Sequence, residues 1–142
     1  MRDMLDAEAF DKLVIAAVNA RQRAYAPYSD FTVGAAVMSA GGRIFTGCNV
    51  ENVSFGATVC AERVAMFSAV AAGCRELVAI AVAGPGESPI TPCGICLQVM
   101  IELAPDAVVV MVGEGGARET SAVAELLPRA FAPEELAEPR QD

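Results

Sequence analysis

The chain has 142 residues, 54% of them hydrophobic, with ten Lys and Arg against eighteen Asp and Glu, a net charge of −8 and a pI near 4.5. That length predicts one domain, 1–142, around a single core, with an acidic tail over 133–142. The negative balance works against a nucleic-acid substrate, and the longest apolar runs, Leu77 to Ala83 and Ala107 to Val112, fall far short of the ~18 residues of a membrane span.

The acidic opening Met1–Asp6 lacks the apolar stretch of an export signal. Five cysteines, an odd number, suit reduced thiols and metal better than disulfides, so a cytoplasmic setting is expected. Residues 7–23 predict a helix with Asp6 as N-cap and Phe10, Leu13, Val14, Ala17 and Val18 on one face. Pro27 interrupts. Phe31 to Met38 and Arg43 to Asn49 then predict two strands joined at Ala40-Gly41-Gly42, whose glycines accept the positive φ of a hairpin. A helix follows from Cys60 to Ala72, with Gly73 at its C-terminal end, and an apolar strand over 77–83. The unit repeats as a helix from Gly94 to Leu103 and a strand from Ala107 to Val112, which predicts parallel neighbours buried on both faces. A strand near Arg118 to Thr120 and a short helix near Val123 to Leu127 complete an α/β sheet of about five strands. The mean hydropathy of +0.43 is high for a small domain and predicts apolar surface buried between subunits.

Two motifs carry chemistry, Cys60-Ala61-Glu62-Arg63 and Thr91-Pro92-Cys93-Gly94-Ile95-Cys96. Three thiolates with a fourth position open form the catalytic arrangement of zinc, and the chain has no histidine to close it. Pro92 suits a helix start, so Cys60 and the Cys93/Cys96 pair both fall at helix N-termini, where backbone N–H groups favour thiolates. Glu62 beside a zinc-bound water can take a proton and pass it to a leaving group. Zinc with three thiolates carries −1, and Arg63 can offset part of that charge by donating to a ligand sulfur. Cys48 and Cys74 read as small apolar residues outside the metal site.

These motifs, with Tyr25-Ala26-Pro27-Tyr28-Ser29, Phe31-x-Val33-Gly34-Ala35-Ala36, Gly47-Cys48-Asn49-Val50-Glu51-Asn52 and Glu125-Leu126-Leu127-Pro128, resemble the small homotetrameric zinc-dependent cytidine deaminases from about Tyr25 to Phe131. The resemblance implies a three-layer fold, a five-stranded mixed sheet with helices on both faces, and one zinc ion per chain on Cys60, Cys93 and Cys96. It implies hydrolysis of cytidine and deoxycytidine to uridine and deoxyuridine, with release of ammonia, in pyrimidine salvage. Glu62 is then the proton carrier. Asn49 and Glu51 hold the sugar hydroxyls, Ala61 N–H and the Thr91 carbonyl touch the base, and Phe31 frames the ring together with Phe131 of a neighbouring subunit. The family usually carries Arg and Tyr where this chain has Leu97 and Phe55. Two alternatives stay open: an aminohydrolase on the same scaffold for a blasticidin S-like antibiotic or a modified cytidine, and a noncatalytic zinc-binding module.

Overall fold

Asp6 starts the first helix, α1 (Ala7–Ala20), by accepting the Ala9 N–H at 2.8 Å; the computed structural model describes residues 6–137. The helix buries Leu13, Val14, Ala17 and Ala20 and tightens into a 3-10 turn over Arg21–Arg23, so the expected span of 7–23 is helical in two parts. Val18 lies 42% exposed, off the buried stripe. Gly34 lets α1 lie directly on the sheet, because a Cβ there would run into the Ala17 carbonyl and the Arg21 backbone.

Strands β1 (Gly34–Ser39) and β2 (Ile44–Cys48) form the predicted hairpin, with Gly42 at φ 90° in its turn. The first strand begins at Gly34 rather than Phe31. Residues 31–33 are held instead by a side chain, since Asn49 Oδ1 accepts from Val33 N–H at 2.8 Å and its Nδ2 donates to the Phe31 carbonyl at 2.7 Å.

Helix α2 (Ala61–Ala71) ends at Gly73, whose φ of 89° reverses the chain into β3 (Leu77–Ala83). Helix α3 (Gly94–Leu103) then crosses back to β4 (Val108–Val112), which pairs parallel with β3. The edge strand β5 (Arg118–Ala122) runs antiparallel to β4 and extends two residues past the expected Thr120 into α4 (Val123–Leu126). The order β2-β1-β3-β4-β5 makes a mixed five-stranded sheet. On one face α1 packs against Ala36, Met38, Ala81 and Val110; on the other α2 and α3 cover Val37, Ile80, Val82 and Val109. The alternation of the strands supplies both layers, and burial of a side chain such as Ile80 contributes about 1.5–3 kcal/mol.

The tail starts as a short helix, α5 (Pro133–Ala137), with Glu134, Glu135 and Leu136 exposed. Its remainder, 138–142, and the acidic opening over residues 1–5 lie outside the described residues.

Candidate active site

The site grows from two helix starts. Cys60 and Cys93 occupy the N-cap positions of α2 and α3 in extended conformation, neither helix has a side-chain cap bond, and Cys96 is buried in the first turn of α3. Two helix N-termini therefore face one sulfur cluster. The three sulfurs all lie within 4.8 Å of one another, with Cys60 and Cys93 at 3.7 Å. Tetrahedral zinc with Zn–S bonds of about 2.3 Å sets its sulfurs about 3.8 Å apart, so the triad fits the ion.

Electrostatics make the same demand. The Cys60 thiol is lowered to about 5, first by its hydrogen bond with Cys96, then by Arg63 and Cys93. Cys96 is raised, because it faces the Cys60 thiolate and is buried. Three sulfurs this close cannot all ionise without a cation between them. Arg63 supplies a partial remedy, with Nη2 3.5 Å from the Cys60 sulfur. Leu97, where the resemblance leads one to expect Arg, is buried in the apolar core.

Beside the triad opens a cavity of about 300 Å³, lined by Cys60, Ala61, Glu62 and Cys93 and by Ile90 and Thr91 of the loop entering α3. Phe31, Asn49 and Glu51 line its other side. Glu62 is 4% exposed, and burial raises its carboxyl to about 7. A carboxyl tuned near neutrality can hold a proton and return it within one reaction cycle. Glu51 accepts from Tyr28 N–H at 2.9 Å, from Ser29 N–H at 3.1 Å and from the Ser29 hydroxyl, which hold its carboxyl below the usual range, the hydroxyl most of all. Another cavity of about 300 Å³, between Asp6, Lys12, Ser39 and Ile44, holds no metal-ligating cluster among the described residues.

The structure thus brings Phe31, Asn49, Glu51, Cys60, Ala61, Glu62, Thr91 and Cys93 to one cavity, with Cys96 and Arg63 at its sulfur end. Phe131 is not among the described lining residues; its carbonyl accepts from Gln98 Nε2 at 2.7 Å and it is 51% exposed. Phe55 lies edge-on to Tyr28, ring centroids 5.8 Å apart. Cys48 and Cys74 are half-buried and stand outside the sulfur cluster. Sequence reasoning missed Ser29, Val33, Thr58 and Ile90 on the wall. Alternation along an extended segment places Val33 on the same side as Phe31 and so signals it; the other three carry no local signal.

A cysteine triad spaced for a metal, a buried carboxyl near neutral pKa and a cavity beside them define a zinc-dependent hydrolase. The family described as "Cytidine and deoxycytidylate deaminase zinc-binding region" matches residues 8–112. The chain is 47% identical over 126 residues to a cytidine deaminase of Halalkalibacterium halodurans, covering 87% of this chain and 95% of that one. It is 42% identical over 133 residues to a probable cytidine deaminase of Dictyostelium discoideum, covering 93% and 90%. The crystal structure of cytidine deaminase from Burkholderia pseudomallei superposes with a TM-score of 0.83 at 51% identity, covering 89% of this chain and all of that one. That of the Mycobacterium tuberculosis enzyme gives 0.75 at 38%, covering 87% and 97%. The chain belongs to the cytidine deaminase family, and zinc is its cofactor.

Proposed function

We propose that this protein, a single catalytic domain over residues 1–142, hydrolyses cytidine and deoxycytidine to uridine and deoxyuridine with release of ammonia. Its setting is pyrimidine salvage in the cytoplasm. The observation that carries this reading is the buried Glu62 carboxyl in a nucleoside-sized cavity walled at one end by Cys60 and Cys93 of the metal-spaced cysteine triad. Zinc, held by Cys60, Cys93 and Cys96, supplies Lewis acidity and lowers the pKa of water toward ~7. A C–O bond forms at C4 of the cytosine ring and the C4–N bond breaks, so one water enters and one ammonia leaves. Glu62 carries two protons in turn: the first, taken from the water, goes to N3, and the second, taken from the new hydroxyl on C4, goes to the departing amine. A noncatalytic zinc module gives no reason to bury a carboxyl beside the metal.

At the far end, the hydrogen-bond inventory supports tolerance of both sugars. Glu51 already accepts three bonds, which leaves about one of its four lone-pair sites, and Asn49 keeps one amide hydrogen and one lone pair beyond its bonds to Phe31 and Val33. Together they suit a single sugar hydroxyl, so a second one adds little. This pair also favours an ordinary nucleoside over the antibiotic of the alternative reading. No Lys or Arg is among the described residues lining the cavity, which suits an uncharged nucleoside rather than a nucleotide. Phe31 frames the ring, while Ala61 N–H and the Thr91 carbonyl contact the base.

The reading includes a homotetramer with shared sites, Phe131 reaching into a neighbour's cavity. Its support is that Phe131, Phe55, Val53 and Tyr28 are all more than half exposed in the single chain. Ammonia release measured over a panel of cytosine nucleosides, with cytidine monophosphate included, tests the chemistry: turnover of the nucleotide alone would overturn it. Sedimentation across a dilution series tests the assembly, and a fully active monomer would remove Phe131 from the site.

A further inference from the structure

Behind the cavity, two loops are tied together by a contact between residues 93 apart in the chain, Arg21 and Glu114. Phe31 and Val33 face the cavity, and Thr32 between them turns the other way. There Arg21 Nε donates to both the Thr32 carbonyl and its hydroxyl, each at 3.0 Å. The same guanidinium donates from Nη2 to Glu114 Oε1 at 3.3 Å, and that oxygen also accepts from Gly86 N–H at 2.7 Å. Gly86 belongs to the loop that ends in Ile90, Thr91 and Cys93 on the opposite wall. That loop is seated closely on the β4–β5 turn: Glu114 N–H donates to the Gly86 carbonyl at 2.8 Å, and a Cβ at Gly113 would run into the Glu87 carbonyl. Ile90 in turn rests on Gly84, whose added Cβ would meet the Ile90 side chain.

The segment carrying Phe31 is thus held from inside by Asn49 and from outside by Arg21, and Arg21 hands the load through Glu114 to the loop that carries Thr91. We propose that Arg21 and Glu114 are positioning residues, a strap that fixes the spacing between the Phe31 and Thr91 walls and so the fit of the pyrimidine ring. This rests on the reading of the cavity as the nucleoside site. Neither residue lines the cavity, so the strap acts on ring binding and not on the proton transfers of Glu62. The pair is partly exposed, with Glu114 half accessible, so it contributes little to global stability and is open to screening by salt.

Steady-state kinetics of the zinc-loaded full-length protein on cytidine, for the parent, Glu114→Gln, Arg21→Met and the double variant, tests this at low salt and at about 1 M salt, where the screening length falls to ~3 Å. Glu114→Gln keeps an acceptor for Gly86 while losing the charge. Each single variant should raise KM about two- to five-fold with kcat essentially unchanged, the size of effect a partly exposed ion pair supports. The double variant should be no worse than Arg21→Met alone. Salt should raise the KM of the parent but not of Glu114→Gln, and because cytidine is uncharged, that salt effect reports on the strap and not on the ligand. A purely structural role would lower the melting temperature and leave KM insensitive to salt. KM values equal to the parent, or additive effects without salt dependence, would overturn the strap while the cavity reading stands. Absence of cytidine turnover by the zinc-loaded parent would instead bring down both.

Discussion

Arg63 points Nη2 at the Cys60 sulfur across 3.5 Å, and its Nε is buried with no partner among the described residues. The guanidinium is thus committed to the sulfur cluster at some desolvation cost, which an ordinary surface ion pair would not require. Removing its charge should raise the Cys60 thiol above its present value of about 5. Protons then compete better for the sulfur. In Arg63→Gln the midpoint of zinc loss on acidification should move to higher pH, and the acidic limb of the pH–rate profile with it. A chelating dye reads the first and kinetics the second. Curves that overlay the parent's would show that Arg63 does not tune the sulfur cluster.

Glu62→Gln keeps the size of the side chain and leaves the three sulfurs in place. Zinc content should stay at that of the parent, while turnover falls by at least the ~10²-fold typical of general acid–base catalysis. Metal analysis and rate, measured on one preparation, must therefore separate. Near-normal turnover would show that another group moves the proton.

The same residue predicts a pH signature in metal-free protein. Its folded carboxyl titrates near 7, against the ordinary 4.5, chiefly because burial disfavours the charged form. Between those values the folded state binds the extra proton, so the contribution of Glu62 to stability falls as pH rises through this window and levels off above it. The loss is on the order of 3 kcal/mol. The lowered Cys60 thiol acts in the opposite sense over the same range, so urea denaturation of metal-free parent and Glu62→Gln at pH 5 and pH 8 is read as a difference: the parent should lose stability relative to the variant as pH rises, and a difference that does not change with pH would contradict the assignment.

Much of this was legible because the residues that hold the metal sit at helix starts that announce themselves. Pro92 before Cys93 and the apolar period after Cys60 place both N-caps correctly, and Gly73 marks the end of α2. The apolar strands β3 and β4 gave their parallel pairing by the repetition of one unit. What escaped reading depends on long-range partners. The start of β1 moved from Phe31 to Gly34 because the Asn49 amide stands in for a neighbouring strand. The wall residues Ser29 and Ile90 are known only once loops far apart in sequence meet, and the Arg21–Glu114 contact has no motif at all. The charged sequence of β5 hid its extension to Ala122, since an edge strand with an exposed face lacks an apolar signature.

Gly47 offers a test of how the sheet holds the catalytic helix. A Cβ there would lie 2.5 Å from the Ala61 carbonyl and 2.6 Å from the Ala65 nitrogen, both backbone of α2. Gly47→Ala must push α2 outward, at a cost of about 1–3 kcal/mol, and carry Cys60 and Glu62 with it. A lower melting temperature together with lower kcat is expected. Gly41→Ala, whose nearest neighbour would be 3.9 Å away, should leave both unchanged. If the two variants behave alike, the close approach of α2 to β2 is not what seats the helix.

The placing of the three sulfurs on two helices gives the ion a second consequence, in the topology of the unfolded chain. Cys93 and Cys96 are local to each other, but joining them to Cys60 closes a loop across 33 positions. A cross-link of that span removes about 3–4 kcal/mol of chain entropy from the denatured ensemble in the loop-closure treatment used for disulfides, provided the ion leaves on unfolding only with difficulty. Alanines such as Ala35, Ala65 and Ala69 fill much of the space between α2 and the sheet, and each buries little area. The ion thus staples α2 to α3 across a layer in which alanines contribute little burial of their own.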